Sequence, residues 1–332
     1  MKKFTVIIIL VVFLFGFTTI NNYENAELVK TAIIKSLPLL QKSSYTFLIN
    51  ADGCHSCHGQ GLGGVAFALA EQKGFAVADT IVKQAMDSIC INWQQRKHYL
   101  NQNEDPAAIT IGGGYDLWAL KATHTKTTKA IELLAKNIMQ RQRVDGSWIT
   151  PNMRPPMEYY NISATALAIK GIQESLPGVF KTEVAGRVVK AKNWLTDVHA
   201  EQNEEKAFQL LGLHWCDADA AVMKPLAKKL LATQHADGGW SQIATLPSDA
   251  YATGQALYAL NQSGQLATTG IAYQRGITFL LKTQFEDGSW KVLTRSFPSV
   301  PYVDSGFPHG DHQFISAAGT NWATMALLLA VK

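Results

Sequence analysis

The heptapeptide Q-F-E-D-G-S-W at residues 284–290 recurs, with only its variable positions changed, at two earlier places in the chain. The earlier copies are Q-H-A-D-G-G-W at 234–240 and Q-R-V-D-G-S-W at 142–148. Each copy contains Asp-Gly, a strong turn signal, and follows a segment whose apolar residues have helical spacing. We therefore interpret the chain as a series of repeats in which this motif ends a helix.

The segments between the turns are predicted to be helices that come in pairs. The first member of each pair is amphipathic and therefore peripheral, whereas the second is apolar on nearly every side and therefore buried. The first helices are expected to begin near Ala26, Val77, Thr127, Thr182, Ala221 and Ile271, and their partners near Leu62, Tyr115, Ser163, Lys206, Ser248 and Ala317. Hairpins at roughly fifty-residue spacing must stack to bury their apolar helices. We predict an all-α fold, an (α/α)6 toroid of six helical hairpins.

A second motif stands near the start of the chain, where residues 54–58 read C-H-S-C-H. C-x-x-C-H is the attachment signature of c-type haem. Cys54 and Cys57 would bond to the haem vinyl groups, and His58 would ligate the iron as a neutral imidazole. A local disulfide or a zinc site are the alternatives, although no second Cys or His pair stands at ligand spacing for zinc. We predict one covalent haem c in the loop at 53–64.

The second axial ligand of the iron is not specified by this motif, since it could be His, Met or absent. If the ring closes, the long connector at 286–316 lies beside the first hairpin, and it holds His309 and His312. We rank His309 first and His312 second. Met153 is third, because the connector of the third hairpin is expected to lie across the ring. An open sixth position is an equal alternative.

The N-terminal residues 1–20 resemble a signal peptide, with Lys2 and Lys3 before an apolar run at 4–17 that is short for a membrane span. An uncleaved anchor is the alternative, because no small-x-small triplet follows. Export agrees with the haem hypothesis, so we predict a periplasmic or otherwise exported protein that contacts the membrane only through an uncleaved N-terminal segment. The formal net charge of +4 includes both lysines, and nothing indicates nucleic-acid binding.

The three heptapeptides are QW motifs, and the chain resembles the squalene cyclase and prenyltransferase α/α-toroid superfamily, most strongly over 126–332. More narrowly, it resembles bacterial prenyltransferase/squalene-oxidase-repeat proteins that carry an N-terminal C-x-x-C-H. The stretches that carry this narrower resemblance are 54–58, 248–257 and 305–316. The resemblance implies a single toroid domain over 21–332 and a haem, but no known reaction.

Two function hypotheses follow. The first is an exported c-type haem protein that acts in electron transfer or haem-based redox chemistry with an unidentified redox partner protein. The alternative is an isoprenoid-binding or terpenoid cyclase/prenyltransferase-like protein that acts on a small molecule in the central cavity. We assign no catalytic residue.

The superfamily resemblance implies particular acidic and metal-binding residues, which this chain matches only in part. Class II cyclases protonate an alkene with a D-x-D-D motif, and the nearest stretch here, Asp-Ala-Asp-Ala at 217–220, lacks the last carboxylate and could instead cap a helix. Protein prenyltransferases hold zinc with a thiolate in an Asp-x-Cys order that Cys216 does not match. The aromatic residues expected to face the ring interior, as core packing, are Trp118, Tyr159, Tyr160 and Trp322.

Overall fold

A computed structural model describes the backbone of residues 2–104, 109–151, 154–297 and 302–331, with side chains from residue 25 onward. Regular structure in these ranges is helical, apart from two isolated β-bridges, which confirms the all-α prediction. The helices, numbered in chain order, are α1 Lys2–Asn50, α2 Leu62–Gln72, α3 Asp79–Gln95, α4 Lys97–Asn101, α5 Ile109–Ala122, α6 Lys129–Gln140, α7 Asn161–Ser175, α8 Lys181–Asp197, α9 Asn203–Trp215, α10 Ala220–Leu231, α11 Ala250–Gln262, α12 Ile271–Thr283 and α13 Gln313–Ala330.

The second helix of each hairpin belongs to an inner ring, formed by α2, α5, α7, α9, α11 and α13. Each of these helices packs on the next one, and α13 packs on α2, so the ring is closed. Small residues allow the helices to approach closely. A Cβ atom on Gly254 of α11 would lie 2.4 Å from the backbone carbon of Trp322 in α13. The predicted toroid of six hairpins is confirmed.

The first helices, α1, α3, α6, α8, α10 and α12, lie outside the inner ring, as their amphipathic patterns predict. In α6 the buried residues Ile131, Leu134 and Ile138 follow helical spacing and form one apolar stripe. Thr128 caps this helix, because its hydroxyl accepts a hydrogen bond from the Ile131 amide at 3.3 Å. Local capping and one-sided burial therefore account for the start and the orientation of α6.

The glutamine of each QW motif joins its own turn to the outer helix of the next repeat. The Gln284 side-chain nitrogen donates to the Gly288 carbonyl at 3.1 Å and to the Ala32 carbonyl of α1 at 2.9 Å. The corresponding acceptors in the other two motifs are Arg187 in α8 and Ala272 in α12, each 2.8 Å from the glutamine nitrogen. Because Ala32 belongs to the first hairpin, the Gln284 bond closes the ring.

The glycine and the tryptophan of the motif shape the same junction. Trp290 is buried, and its indole nitrogen donates to the Leu280 carbonyl at 2.9 Å, which covers the end of α12. Gly288 has φ +90°, and a Cβ atom there would lie 2.4 Å from the Lys35 carbonyl oxygen of α1. Only glycine permits both the left-handed conformation and this close approach.

The function of the N-terminal segment as a signal peptide or an anchor stays a prediction. The backbone of α1 is continuous across the expected boundary at residue 20, but residue 1 and the side chains of 2–24 lie outside the described part of the chain. Among helices whose side chains are described, none is both long enough and apolar enough to cross a bilayer. Signal cleavage, anchoring and the 21–332 domain boundary are therefore untested.

Substituting Gly288 by Ala should weaken the ring more than the same change at Gly264. Both glycines have positive φ, +90° and +70°, but nothing lies within 4 Å of a Cβ atom on Gly264. Gly264→Ala should cost about 1 kcal/mol for the left-handed conformation alone. Gly288→Ala should cost about 3 kcal/mol, because the α1 backbone must also move away. Urea unfolding followed by circular dichroism measures the difference, and equal losses would contradict the junction described above.

Candidate functional site

The C-x-x-C-H loop lies at the end of the ring where the inner helices begin, called here the connector rim. A π-helical turn at Cys57–Gly61 leads into α2. The Ser56 hydroxyl accepts a hydrogen bond from the Gly59 amide at 3.0 Å. The Gln60 side chain anchors the turn to α1 by donating to the Ser44 carbonyl at 2.7 Å. Side chains within the motif and just after it thus hold the loop on the first hairpin.

His58, the predicted iron ligand, is buried between two aromatic rings. Its imidazole stands edge-on to Phe47 and Phe314, with ring centroids 5.8 Å apart in both cases. Its Nδ1 atom is buried, and no described residue makes a hydrogen bond to the ring. Burial, with a smaller contribution from the Arg154 charge, lowers the pKa of His58 to about 3. The imidazole is therefore neutral at pH 7, as a metal ligand must be.

Cys57 contacts the connector of the third hairpin rather than that of the sixth. Its thiol donates to the Glu158 carboxylate at 2.6 Å, and Arg154 Nη1 lies 3.3 Å from both Glu158 oxygens. Burial and the Glu158 charge raise the pKa of Cys57 well above its ordinary value. The prediction that this connector lies far across the ring was wrong, since it reaches the loop. Met153 lies outside the described residues.

Cys54 faces a different environment from Cys57. Its sulfur lies 3.7 Å from Arg96 Nη2, at a groove of about 700 Å³ between α1 and α3 that is also lined by Ile49 and Ile91. Both cysteines are free thiols, so the alternative of a local disulfide is not formed in this structure. Each sulfur therefore has its own polar neighbour, one basic and one acidic.

His55, the middle histidine of the loop, points to a buried carboxylate. Its Nε2 atom is 2.7 Å from Asp116 Oδ2, which also accepts a hydrogen bond from the Trp93 indole at 2.7 Å. This arrangement binds the loop to α3 and α5. Asp116 did not stand out in the sequence, because it lies in an otherwise apolar helix with no motif around it.

The connector of the sixth hairpin reaches the loop, as predicted, but by residues other than the histidines. Phe314 contacts His58, and Asn50 donates to the Asp304 carbonyl at 2.7 Å. His309 is hydrogen-bonded through Nε2 to the Ser289 hydroxyl at 2.9 Å, and His312 Nδ1 accepts from the Thr294 amide at 3.3 Å. Ligation of iron by His309 stays a prediction that would require it to leave Ser289.

A second feature of interest is a buried glutamate in the first turn of α9. Glu204 is 2% exposed. It accepts hydrogen bonds from Tyr251 Oη at 2.8 Å, Gln255 Nε2 at 2.6 Å and Ser163 Oγ at 3.0 Å. Burial raises the pKa of Glu204 to about 7, against the lowering effect of these donors. The inner ring thus contains a buried carboxyl group whose pKa is raised by burial.

The acidic residues singled out from the sequence lie elsewhere. Asp217 and Asp219 follow the C-terminal end of α9, whereas Glu204 lies near its start. Asp219 occupies the position before α10 but makes no capping hydrogen bond with its side chain. Glu204 was missed because a Glu-Glu pair at a helix start is also an ordinary capping sequence. Only the closed ring shows that it is buried.

Large aromatic side chains meet inside the ring, as expected for core packing. The Trp322 ring centroid lies 6.2 Å from that of Trp118, 5.5 Å from Tyr258 and 6.1 Å from Phe208. Tyr160 is buried, whereas Tyr159 is 43% exposed. Within the described part of the chain, no group of three or more His, Cys, Asp or Glu residues is placed to hold a metal ion.

Comparison with solved structures finds similarity over nearly the whole chain. The type II terpene cyclase MstE from Scytonema, in complex with geranylgeranyl dihydroxybenzoate, matches at a TM-score of 0.57 and 12% identity, over 93% of this chain and 99% of that chain. The same cyclase with its product merosterolic acid A matches at 0.56 and 12%, over 93% and 99%. A protein from Actinoplanes matches at 0.54 and 12%, over 90% and 100%.

No family model and no curated protein matches the chain. The structural similarities establish the fold, which is that of squalene-cyclase-like toroids. Of our two function hypotheses, the terpenoid cyclase-like alternative agrees better with these similarities in fold. They do not test the haem.

Replacing Glu204 by Gln should flatten the pH dependence of stability. The folded-state pKa of about 7 exceeds the value of about 4.3 expected in the unfolded chain. Stability from this group is therefore fully present below about pH 4 and lost as the pH rises through 7. The full loss amounts to about 4 kcal/mol, because the two pKa values differ by about 2.7 units at about 1.4 kcal/mol each. Urea unfolding between pH 5 and 8 should show a smaller loss for Glu204→Gln, whereas parallel curves would contradict the assignment.

Proposed function

We propose that this protein is an exported c-type haem protein built on a terpenoid cyclase-like ring, with a role in electron transfer or haem-based redox chemistry. One haem would be joined to Cys54 and Cys57 and ligated by His58. The observation that carries the proposal is the His58 imidazole, which directly follows Cys57 and is neutral, buried and free of hydrogen bonds from described residues.

The residues around the loop fit the attachment of a haem. Both thiols are unbridged, and Phe47 and Phe314 make T-shaped contacts with the proposed ligand. Cys57 would supply the thiol for one thioether to a haem vinyl group, an addition in which the S–H proton would go to a vinyl carbon and no group would leave. Glu158 then loses the thiol as a donor but keeps Arg154 as its ion-pair partner. A bound haem would supply a one-electron couple.

Fold similarity does not set the chemistry, because one fold hosts many functions. A C-x-x-C-H loop is a local and specific attachment signal, while the 12% identity to the cyclases carries no residue of their chemistry to this chain. The proposal therefore follows the loop and its surroundings. The ring supplies the scaffold that buries His58.

A second candidate function, a terpenoid cyclase-like activity, is favoured by Glu204. Protonation of an alkene needs a carboxylic acid that stays protonated near neutral pH, which burial achieves. The raised pKa of Glu204, about 7, and the buried aromatic cluster around Trp322 are what such a site requires. However, both Glu204 oxygens already accept hydrogen bonds, and aromatic side chains occupy the ring interior. We therefore place this function second.

The haem proposal predicts covalent haem that depends on Cys57. Protein produced with a c-haem maturation system should keep its peroxidase stain after denaturing electrophoresis. Cys57→Ala should reduce the stain, and the double variant Cys54→Ala/Cys57→Ala should abolish it, because no thioether can then form. Cys90→Ala removes a thiol in α3, outside the motif, and should keep the stain in full.

Wild-type protein without stain, but with normal helical circular dichroism, would contradict the haem proposal. The same preparation can then be incubated with a geranylgeranyl-bearing substrate. Cyclised product from the wild type but not from Glu204→Gln would support the second candidate. The absence of both signals would leave neither function standing.

A further inference from the structure

We propose that the Arg154–Glu158 ion pair sets the reduction potential of the haem, with the arginine favouring the reduced iron and the glutamate favouring the oxidised iron. This inference rests on the proposed function, because it concerns the iron site at His58. It assigns a tuning role to two residues in the connector of the third hairpin that no motif singled out.

Arg154 is linked to the proposed iron ligand through one aromatic ring. Its guanidinium carbon lies 5.0 Å above the Phe314 ring centroid, and that ring lies 5.8 Å from the His58 imidazole. The Arg154 side chain is 20% exposed, so water screens its charge only in part. Among the cationic side chains of the described residues, Arg154 alone contributes to the lowered pKa of His58.

Glu158 contacts the neighbouring residue of the motif, Cys57. Its carboxylate is 2.6 Å from the Cys57 sulfur and 3.3 Å from Arg154. The Glu158 side chain is 10% exposed. The ion pair therefore places one positive and one negative charge against neighbouring parts of the motif, at His58 and at Cys57.

Charges in such a partly buried place act strongly on a nearby redox centre, because the effective dielectric constant is far below that of water. Reduction adds one electron to the iron, supplied in a titration by a chemical reductant such as dithionite. A positive charge nearby stabilises the added electron, and a negative charge opposes it. Removing Arg154 should therefore lower the potential, whereas removing Glu158 should raise it.

Other charged groups near the loop remain the same in both variants. The Asp116 carboxylate and the His55 imidazole contact each other, and Glu204 lies in the first turn of α9. Arg295 offers a matched control at the connector rim. It is bonded to the neutral Gln242 side chain at 3.2 Å and does not contribute to the pKa shift of His58 or Cys57.

The experiment is a redox titration of the haem-loaded proteins, followed in the visible spectrum. At a fixed ambient potential, Arg154→Gln should lower the ratio of reduced to oxidised haem about threefold or more, and Glu158→Gln should raise it by a similar factor, where a tenfold ratio corresponds to about 59 mV for one electron. Arg154→Lys keeps the charge and should restore the wild-type ratio. Arg295→Gln should leave the ratio nearly unchanged.

A second readout uses haem-free protein. Alkylation of Cys57, followed by mass spectrometry of its peptide, should be faster in Glu158→Gln because the thiolate loses a neighbouring negative charge. It should be slower in Arg154→Gln, which loses the stabilising cation. Opposite directions are expected of a charge effect, whereas a purely structural role would move both variants the same way.

Failure of the inference is distinguishable from failure of the proposed function. Wild-type protein without covalent haem would overturn both. Haem-loaded protein in which the two variants shift the potential in the same direction, or not at all, would overturn the tuning role and leave the haem proposal standing. A shift in Arg295→Gln as large as that in Arg154→Gln would also overturn it.

Discussion

The hydrogen bond from Gln284 to the Ala32 carbonyl is the contact on which the rest of the structure depends. It joins the sixth hairpin to the first, where α13 also packs on α1 and α2 and the ring closes. A single hydrogen bond contributes only about 1 kcal/mol, so its importance lies in position. Gly288 packs closely against the Lys35 backbone at the same junction. This close packing fixes the position of α1 relative to α12 and α13.

The ring closure brings distant parts of the chain to the C-x-x-C-H loop. Phe47 comes from α1, Phe314 from α13 and Glu158 from the connector before α7, and all three contact the loop. Each connector from an outer to an inner helix ends at the connector rim, so residues far apart in sequence meet there. Negative side chains are stabilised near helix N-termini. Glu204 and Asp249 both occupy such positions.

The architecture was predictable from the sequence because its signals are local. The QW turns, the apolar inner helices and the amphipathic outer helices each follow from residues within one hairpin, and the expected helix starts lie within a few residues of the observed ones in most cases. The C-x-x-C-H loop was equally local. Arg154, Glu158 and Glu204 were not predictable, because their roles depend on where irregular connectors run and on which helix ends are buried. Periodicity does not encode either of these.

The predicted second ligand of the iron, His309, shows the same limit of prediction from sequence. His309 was chosen because its connector would reach the first hairpin, and the connector does reach it. The path of the backbone, however, does not specify which side chain faces the loop. Phe314 contacts His58, while the His309 imidazole is bonded to Ser289 in the turn of its own motif.

The fold of this protein does not specify its chemistry, because one fold hosts many functions. The ring has the same fold as that of the type II terpene cyclase MstE, whereas the loop at its rim carries the sequence C-x-x-C-H. The most direct measurement is the mass of the proteolytic peptide that contains residues 54–58, from protein matured with a c-haem system. Our account predicts the peptide mass plus one haem, with neither Cys54 nor Cys57 open to alkylation. An unmodified peptide in which both thiols are alkylated would contradict it.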